Sequence, residues 1–521
     1  MLHCSKKVTQ ALLVIIAVLS ISSVILKATI LVILNRQKQW YESTIDDCQN
    51  GFRDDRGTID SIMIVKSLNR IAKARGEQVY CLALDLKSAY DWIQRQWIWI
   101  NMEARIGDAE YGEELKNMYR LIRELYRKTY AHLGDEELLF ETSSGVLQGA
   151  VDSPAIFTIF FDTILRIFMQ KCREKNVNGV SFDYRIPSTA STRTQRMQDK
   201  LSGTRSIYYG GYCDDVFATF SSLDDLKVAT GIFEDICKKF GLTICCVKTK
   251  TMILNYQEPK PVNSSEKAKK SKKKSKYPKS LVKINAIDIE NVSIFKYLGV
   301  KIDKSDYKTG KTEINYRINC ANFKFNKMKH IFQNTNIKMK VRMIYYNAYI
   351  RTRLCYGAQL WNLPQKLRSK VRKVHTKHLR TMVRGGFERR GGPRELRDVV
   401  GYNWKWVYNY NRLLEICRTD PVLDFCDFQR AKWISHVVRK DNDSAVKQLM
   451  FETTQTTRSG RTTSSLDQLL DVTRGYDMSD SLVYKSSVSR SFMLELKSRD
   501  VEFVPRHHGD SDDNQQEYLV Q

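Results

Sequence analysis

Apolar residues recur along this chain with two distinct periods. Over 62–72 and 223–240 they return every three or four positions, which predicts amphipathic helices; Leu226, Ile232, Phe233 and Ile236 share one face of the second. Residues 111–130 carry the same period among charges and predict another helix. Residues 79–84 form a short unbroken apolar run, the mark of a buried strand. Over 207–220, apolar and aromatic residues stand on both sides of Asp214-Asp215, which predicts a hairpin with the two acids at its turn. Residues 282–289 predict a strand, a turn and a second strand leading into Phe295, and from Thr312 to about Met450 the pattern is helical, lysine-rich and aromatic. Helices alternating with strands around a hairpin predict an α+β fold.

Three stretches break the pattern. Residues 183–203 lack periodicity and predict an insertion loop. Residues 267–276 are nearly all lysine and serine; they repel one another, bury nothing, and predict a disordered basic insertion that could serve as an RNA-binding arm or a nuclear address. Residues 451–521 are rich in Ser and Thr, then acidic, and predict a partly disordered tail. At the other end, residues 11–34 are apolar with Ser22, Ser23, Lys27 and Thr29 as polar breaks. That length suits a membrane span, but a lysine in mid-stretch favours a core helix.

Composition adds a partner. The 521 residues hold 85 Lys and Arg against 58 Asp and Glu, a net charge of +27, so a polyanion such as nucleic acid is the expected ligand. Twelve cysteines show no Cys-x-x-Cys pair and read as small buried hydrophobes of an intracellular protein, nuclear or cytoplasmic. His375 and His378, three apart on a predicted helix, lack further ligands for zinc and read as part of a solvated basic face.

The acids carry the chemistry. Adjacent carboxylates on a turn repel unless a cation sits beside them, and hard oxygen ligands suit Mg²⁺. Upstream, Cys81-Leu82-Ala83-Leu84 delivers Asp85 at the end of a strand, with Tyr90 five residues on. A strand-end acid beside the hairpin acids makes a two-metal site for phosphoryl displacement; taken alone, Asp85 could equally cap a helix. Between them lies Gly145-Val146-Leu147-Gln148-Gly149-Ala150-Val151-Asp152-Ser153-Pro154, a glycine-rich loop feeding an apolar helix.

In this order the segments resemble motifs A, B and C of reverse transcriptases. The similarity continues through Lys248-Thr249-Lys250 (motif D), Phe295-Lys296-Tyr297-Leu298-Gly299 (the primer grip, motif E) and Gln49-Asn50-Gly51-Phe52-Arg53. With Leu354-Cys355-Tyr356-Gly357 to Trp361 and Trp433-Ile434-Ser435-His436, the chain is similar to LINE-type (non-LTR) retrotransposons from about residue 22 to 450. The resemblance implies a right-hand polymerase, α+β, with an antiparallel ferredoxin-like palm sheet. Its parts are an apolar segment over 1–36, fingers and palm over 37–256, a basic insertion over 257–281, a primer-grip hairpin over 282–305, a helical thumb and C-terminal region over 306–450, and a tail over 451–521.

It further implies an RNA-directed DNA polymerase taking an RNA template, a DNA primer and deoxynucleoside triphosphates. Asp85, Asp214 and Asp215 would hold two Mg²⁺ ions, with Mn²⁺ as the alternative, and the Leu86 carbonyl as a further ligand. Tyr90 would crowd a ribose 2′-hydroxyl, Gln148 and Gly149 would border the incoming base, and Lys248 would protonate pyrophosphate. Phe295, Tyr297 and Gly299 would shape the primer grip. Three residues depart from the family pattern: Cys213 stands where alanine is usual, Ala150 where serine is, and Asp152 where an apolar residue is. The family's basic fingers hairpin would precede Ser22, where this chain has some twenty mostly apolar residues, so the sequence predicts a 5′-truncated element. The competing expectation is an inactive remnant that only binds nucleic acid.

Overall fold

A computed structural model describes residues 24–107, 112–132, 139–147, 149–186, 201–256, 277–304, 310–388, 409–453, 455–456 and 462–463. The chain divides into two compact units, Met1–Phe182 with Thr204–Tyr307, and Asp183–Gly203 with Lys308–Gln521. The first part of the chain runs α1 (Val24–Thr44), α2 (Thr58–Arg75), β1 (Val79–Leu84), α3 (Ala89–Trp92), α4 (Arg95–Ile106) and α5 (Gly112–Leu125). It continues through β2 (Thr129–His132), β3 (Leu139–Thr142), α6 (Ser153–Glu174), β4 (Val180–Tyr184), β5 (Gly203–Ile207), β6 (Tyr209–Tyr212), β7 (Asp215–Phe220) and α7 (Leu223–Lys239). The remaining strands of this part are β8 (Lys250–Leu254), β9 (Ser280–Ile284), β10 (Ile287–Glu290), β11 (Ile294–Tyr297) and β12 (Val300–Asp303).

The first unit is built on a four-stranded sheet in the order β6-β7-β1-β8, antiparallel at every pairing. β1 is an inner strand, buried at every residue but Tyr80, because β7 and β8 bond its edges while α2 and α7 pack on it. An unbroken apolar run is what such a strand requires. α6 is buried along most of its length and packs on α4 and α7; its Phe160 ring meets Phe240 and its Phe168 ring meets Phe233 of α7. Ser222 caps α7, its hydroxyl accepting from the Asp225 amide, and Asp224 and Asp225 in the first turn suit the helix dipole.

Several sequence expectations are corrected. The helix expected over 111–130 ends at Leu125; Thr129 and Tyr130 belong to β2, where Thr129 and Thr142 face each other across the ribbon. The loop expected over 183–203 is bounded by β4 and β5, which pair as a ribbon and take in Asp183, Tyr184 and Gly203. Among the described residues no helix is long and apolar enough to cross a membrane. Residues 24–34 of the stretch read as a span belong to α1, a helix as the mid-stretch lysine favoured; it buries Ile30, Ile33 and Gln37 and packs on α5 and α6, while Val24, Ile25, Leu31 and Val32 are exposed. Residues 11–23, the basic run 267–276 and the tail beyond 463 lie outside the described residues.

The second unit is helical: α8 (Lys311–Lys327), α9 (Lys329–Phe332), α10 (Met339–Tyr346), a π turn over Asn347–Arg351, α11 (Thr352–Leu354), α12 (Gln365–Glu388), α13 (Tyr410–Cys417), α14 (Val422–Val438) and α15 (Ala445–Met450). Ile314, Ile318, Phe325, Tyr346, Ile350, Val371, Leu379 and Leu413 meet in one core. At its centre Phe325 lies between Phe332, 4.8 Å away, and the His378 ring, 4.1 Å away, all nearly parallel.

His378 and His375 are therefore core residues and not a solvated face. Val371, His375, His378, Leu379 and Met382 fall at helical spacing on the buried side of α12. The Tyr346 hydroxyl lies 3.1 Å from His378 Nδ1, Asn322 Oδ1 lies 2.9 Å from its Nε2, and Tyr410 reaches His375 Nδ1 at 2.9 Å. Burial is the main cause that lowers His375 to about 3, with His378 and Arg351 adding to it, and that lowers His378 to about 4, with Lys377 adding.

Both rings stay neutral when folded, whereas in the unfolded chain they take up protons below about pH 6.5. The stability they allow is complete above that pH and is lost as pH falls from about 6.5 toward the folded values of 4 and 3. The urea midpoint should fall between pH 7.5 and 5.0, and replacing His375 and His378 together by Gln should flatten that slope. An unchanged slope in the double variant would assign the acid sensitivity to other groups.

Candidate active site

β1 ends at Leu84, and its register with β7 pairs Leu84 with Val216. The next residue, Asp85, therefore stands beside Asp215 and the turn that carries Asp214. β6 and β7 close on each other through Tyr212 and Asp215, leaving Cys213 and Asp214 as the two turn residues. Two-residue turns of this kind demand positive φ, and Cys213 takes φ of +60° without being glycine.

A buried amide holds that turn. Gln49 Oε1 accepts from the Cys213 amide at 2.8 Å, and Gln49 Nε2 donates to the Cys213 carbonyl at 2.9 Å. On either side of this clamp, the Asn50 amide donates to the Gly211 carbonyl and the Gly211 amide to the Cys48 carbonyl. Gly51 allows the approach: a Cβ there would stand 2.3 Å from the Cys213 nitrogen. The segment that carries Gln49 is itself fixed by Arg53, buried, whose guanidinium donates to the Glu42 carboxylate and to the carbonyls of Asp46 and Gln49. Sequence reading placed Gln49 in a family segment without giving it a role. The signal was present as a polar Gln-Asn pair before a glycine, a pattern that a solvent loop would not need to bury.

Tyr90 closes the site on another side. Its hydroxyl lies 3.1 Å from Cys213 Sγ, and its ring stacks on Phe157 at 4.1 Å, within 3° of parallel. Burial, then Cys213, raises its phenol above the ordinary value. The loop after β3 reaches the same place: the Gly145 amide donates to the Ile93 carbonyl and the Val146 amide to the Tyr90 carbonyl. Gly145 has φ of +76°, and a Cβ on it would meet the Tyr90 and Asp91 carbonyls at 2.7 Å. Gly149, four residues on, is exposed; Gln148 lies outside the described residues. Asp152, the departure from the family pattern, is buried, which raises its carboxyl.

The electrostatics are those of an uncompensated acid cluster. Burial, then the charge of Asp85, raises the Asp214 carboxyl, while Lys248 opposes. Asp215 keeps solvent access, yet the protein packed around it is the main cause that pushes its carboxyl up to about 6, with Asp214 and Asp85 next. Lys248 Nζ stands 3.5 Å from Asp85 Oδ1, but it is mostly exposed and makes no hydrogen bond there; Asp85 Oδ1 is buried without a hydrogen-bond partner. An exposed lysine at that range is well screened, so Lys248 offsets little of the Asp85 charge. Among the described residues no three His, Cys, Asp or Glu side chains are gathered closely enough to form a metal cage. The donor set is nevertheless of the right chemistry for a hard divalent cation: carboxylates on adjoining segments, one buried oxygen without a hydrogen bond, and raised carboxyl pKa values at Asp214 and Asp215 that a cation would reverse.

Leu86 is buried, and the backbone around it is tied to residues 243–245: the Lys87 amide donates to the Thr243 carbonyl and the Cys245 amide to the Asp85 carbonyl. β11 and β12 form a hairpin whose turn is Leu298-Gly299. Phe295 lies 6.1 Å from Phe217, and Tyr297 is buried beneath the acid hairpin, its hydroxyl donating to the Gly210 carbonyl at 2.8 Å. The structure thus joins Asp85, Asp214, Asp215, Tyr90 and Lys248 in one place, and sets Tyr297 under them as support.

Gln49→Leu should leave the Cys213 amide and carbonyl buried and unpaired, costing about 2–6 kcal/mol at about 1–3 kcal/mol per orphaned group. Hydrogen exchange at the Cys213 amide should accelerate in the variant well beyond the change in global stability. Equal protection in both proteins would show that the turn stands without the clamp.

A family profile described as Reverse transcriptase (RNA-dependent DNA polymerase) matches residues 15–302, more than half of the chain. Among solved structures the chain is similar to telomerase from Candida albicans in complex with a TWJ fragment of telomeric RNA, at 11% identity and a TM-score of 0.33 over 73% of this chain and 56% of that one. It is also similar to apo telomerase from Candida tropicalis, at 10% identity and a TM-score of 0.36 over 82% of this chain and 61% of that one. The chain thus spans less than two thirds of the length of either. No curated protein matches it. On the extent of the profile match, this chain belongs to the reverse transcriptase (RNA-dependent DNA polymerase) family.

Proposed function

We propose that this protein is the RNA-directed DNA polymerase of a LINE-type (non-LTR) retrotransposon, extending a DNA primer on an RNA template with deoxynucleoside triphosphates. The observation that carries this reading is the register of β1 against β7, which brings Asp85 to the Asp214-Asp215 turn. Asp85, Asp214 and Asp215 would hold two divalent ions, Mg²⁺ or Mn²⁺, with the Leu86 carbonyl as a further oxygen. Such ions, when bound, lower the pKa of the primer 3′-hydroxyl and carry charge on the triphosphate. The retrotransposon assignment rests on the ordered motifs, including those near Trp361 and Trp433 in the second unit.

The chain's own groups do the rest. The Gln49 clamp and the two flanking strands hold the acids in place before substrate arrives, so their orientation adds no cost at the reaction. Tyr90, fixed by Phe157 and Cys213, presents a rigid ring edge where a nucleotide's sugar would lie; a ribose 2′-hydroxyl would collide with it. Lys248, exposed and near Asp85, would give a proton to departing pyrophosphate, a reading its nearness to Asp85 supports. Gln148 and Gly149 would border the incoming base, and Phe295, Tyr297 and Gly299 would position the primer end.

Asp85→Asn and Asp214→Asn should each lower primer extension on an RNA template by about 10³-fold or more, the scale of removing one member of a catalytic unit. Binding of template–primer should persist in both. Wild-type protein that binds template–primer yet never extends it, with Mg²⁺ or Mn²⁺, would be a nucleic-acid-binding remnant and not a polymerase.

Tyr90→Val should admit ribonucleotides, changing discrimination by about tenfold or more, because it removes the ring that fills the space of the extra hydroxyl. Incorporation of ribo- and deoxynucleotides by the purified variant measures this. Unaltered discrimination in a folded, active variant would take Tyr90 out of the sugar filter and leave the three aspartates untouched.

A further inference from the structure

The helical unit carries a face that its own core does not use. From Lys308 to Phe387 the sequence holds nineteen Lys and Arg against one acid, Glu313. Glu313 is buried and paired with the buried Arg317 one turn on, Arg342 is buried too, and Arg368 pairs with Asp427 of α14; this stretch itself supplies no other acid to offset its remaining bases. A surface of this kind attracts a polyanion.

Large rings stand on it. Phe323 of α8, Tyr345 of α10 and Tyr349 of the π turn are 64%, 41% and 42% exposed, while Phe325, Tyr346 and Ile350 from the same segments fill the core. The Tyr345 and Tyr349 rings lie 6.1 Å apart and within 18° of parallel. Lys324 Nζ stands 5.2 Å from the centre of the Tyr349 ring, and Lys327 Nζ 4.7 Å from that of Phe323. The π turn Asn347–Arg351 follows α10 directly and carries the second tyrosine, an irregularity that recurs at functional sites.

The chemistry of the face selects its occupant. An apolar protein partner would have to strip water from Lys324 and Lys327, a cost that rings alone do not offset. A duplex keeps its bases paired and stacked inside, out of reach of these ring faces. An unpaired strand offers both a π-face for each ring and a phosphate for each ammonium. We infer that this face binds single-stranded nucleic acid, with unpaired bases stacking on Phe323, Tyr345 and Tyr349 while Lys324 and Lys327 neutralise neighbouring phosphates. The inference rests on the reading of this protein as a polymerase with an RNA template, and adds to it a single-strand contact outside the acid cluster.

The test uses the full chain and fluorescence anisotropy with oligo(U), oligo(dT) and a blunt duplex, each of about 12 nucleotides, across a salt series. Replacing Tyr345 and Tyr349 together by Ala should weaken oligo(U) or oligo(dT) binding by about tenfold per ring, from 1–3 kcal/mol per stacked base, and leave duplex binding unchanged. Lys324→Gln with Lys327→Gln should lower the salt slope by roughly 1.4, at about 0.7 per phosphate on a single strand. A preference for oligo(U) would assign the face to RNA, a preference for oligo(dT) to DNA, and either supports it.

Because the three rings are at the surface, circular dichroism should show the variants folded. Phe323→Ser, the most exposed of them, gives an independent readout should the tyrosine pair prove unstable. Single-strand binding that is unchanged in folded ring variants, or duplex binding that falls in parallel, would overturn the inference. Asp214→Asn separates it from the polymerase reading: ring-dependent binding should persist there, whereas a wild-type protein that fails to extend primers yet binds through these rings would sink only the polymerase.

Discussion

Negative charges packed at a turn are held together against their own repulsion, and everything else in the first unit serves that constraint. Asp85 and the Asp214-Asp215 pair come from strands 130 residues apart in sequence, joined by the Leu84–Val216 register. Backbone hydrogen bonds fix that register, and the inward-facing residues of β1 and β7 prevent a slip, since a shift of one residue would turn the buried side chains outward. Burial first, and then the charge of Asp85, raises the Asp214 carboxyl, and Asp214 and Asp85 add to burial in raising Asp215, so the fold supplies the energy that keeps them close. The Gln49 amide completes the arrangement by satisfying both backbone groups of a residue in left-handed geometry.

This arrangement explains why the region around the acids is so heavily cross-braced. Tyr209 donates to Asp46, the Asp46 amide donates to Asp162, and Asp162, fully buried, accepts from Arg105 and Arg166. Together the links tie the segment after α1, α4 and α6 to β6, the strand that leads into the acid hairpin. A buried carboxylate with two guanidinium partners is costly to break by removing one member. Such a network therefore resists the relaxation that would let the turn splay apart.

Much of the first unit was legible in the sequence because its signals are local. β1 and α7 match their predicted spans to within a residue, since an unbroken apolar run and a capped amphipathic helix are each specified by near neighbours. The end of α5 was misread because the charged periodicity runs on past Leu125 into residues that pair with β3, a long-range partner that periodicity cannot report. His375 and His378 were misread for a different reason: histidine is polar in composition but neutral in a core, and only the neighbouring Val371, Leu379 and Met382 reveal the buried face. In the site, the carboxylates were visible as motifs, whereas Gln49 was not, because its partners are backbone atoms 164 residues away.

Tyr297 links two parts of the site that a linear reading separates. Its ring packs on Phe217 of β7, and its hydroxyl donates to the carbonyl of Gly210 in β6, so the β11–β12 hairpin is anchored to both strands that carry the acid turn. A hairpin joined in this way cannot move independently of Asp214 and Asp215. The distance from that hairpin to the acids is thereby set by the length of one tyrosine side chain, a rigid gauge, and not by the sampling of a flexible loop.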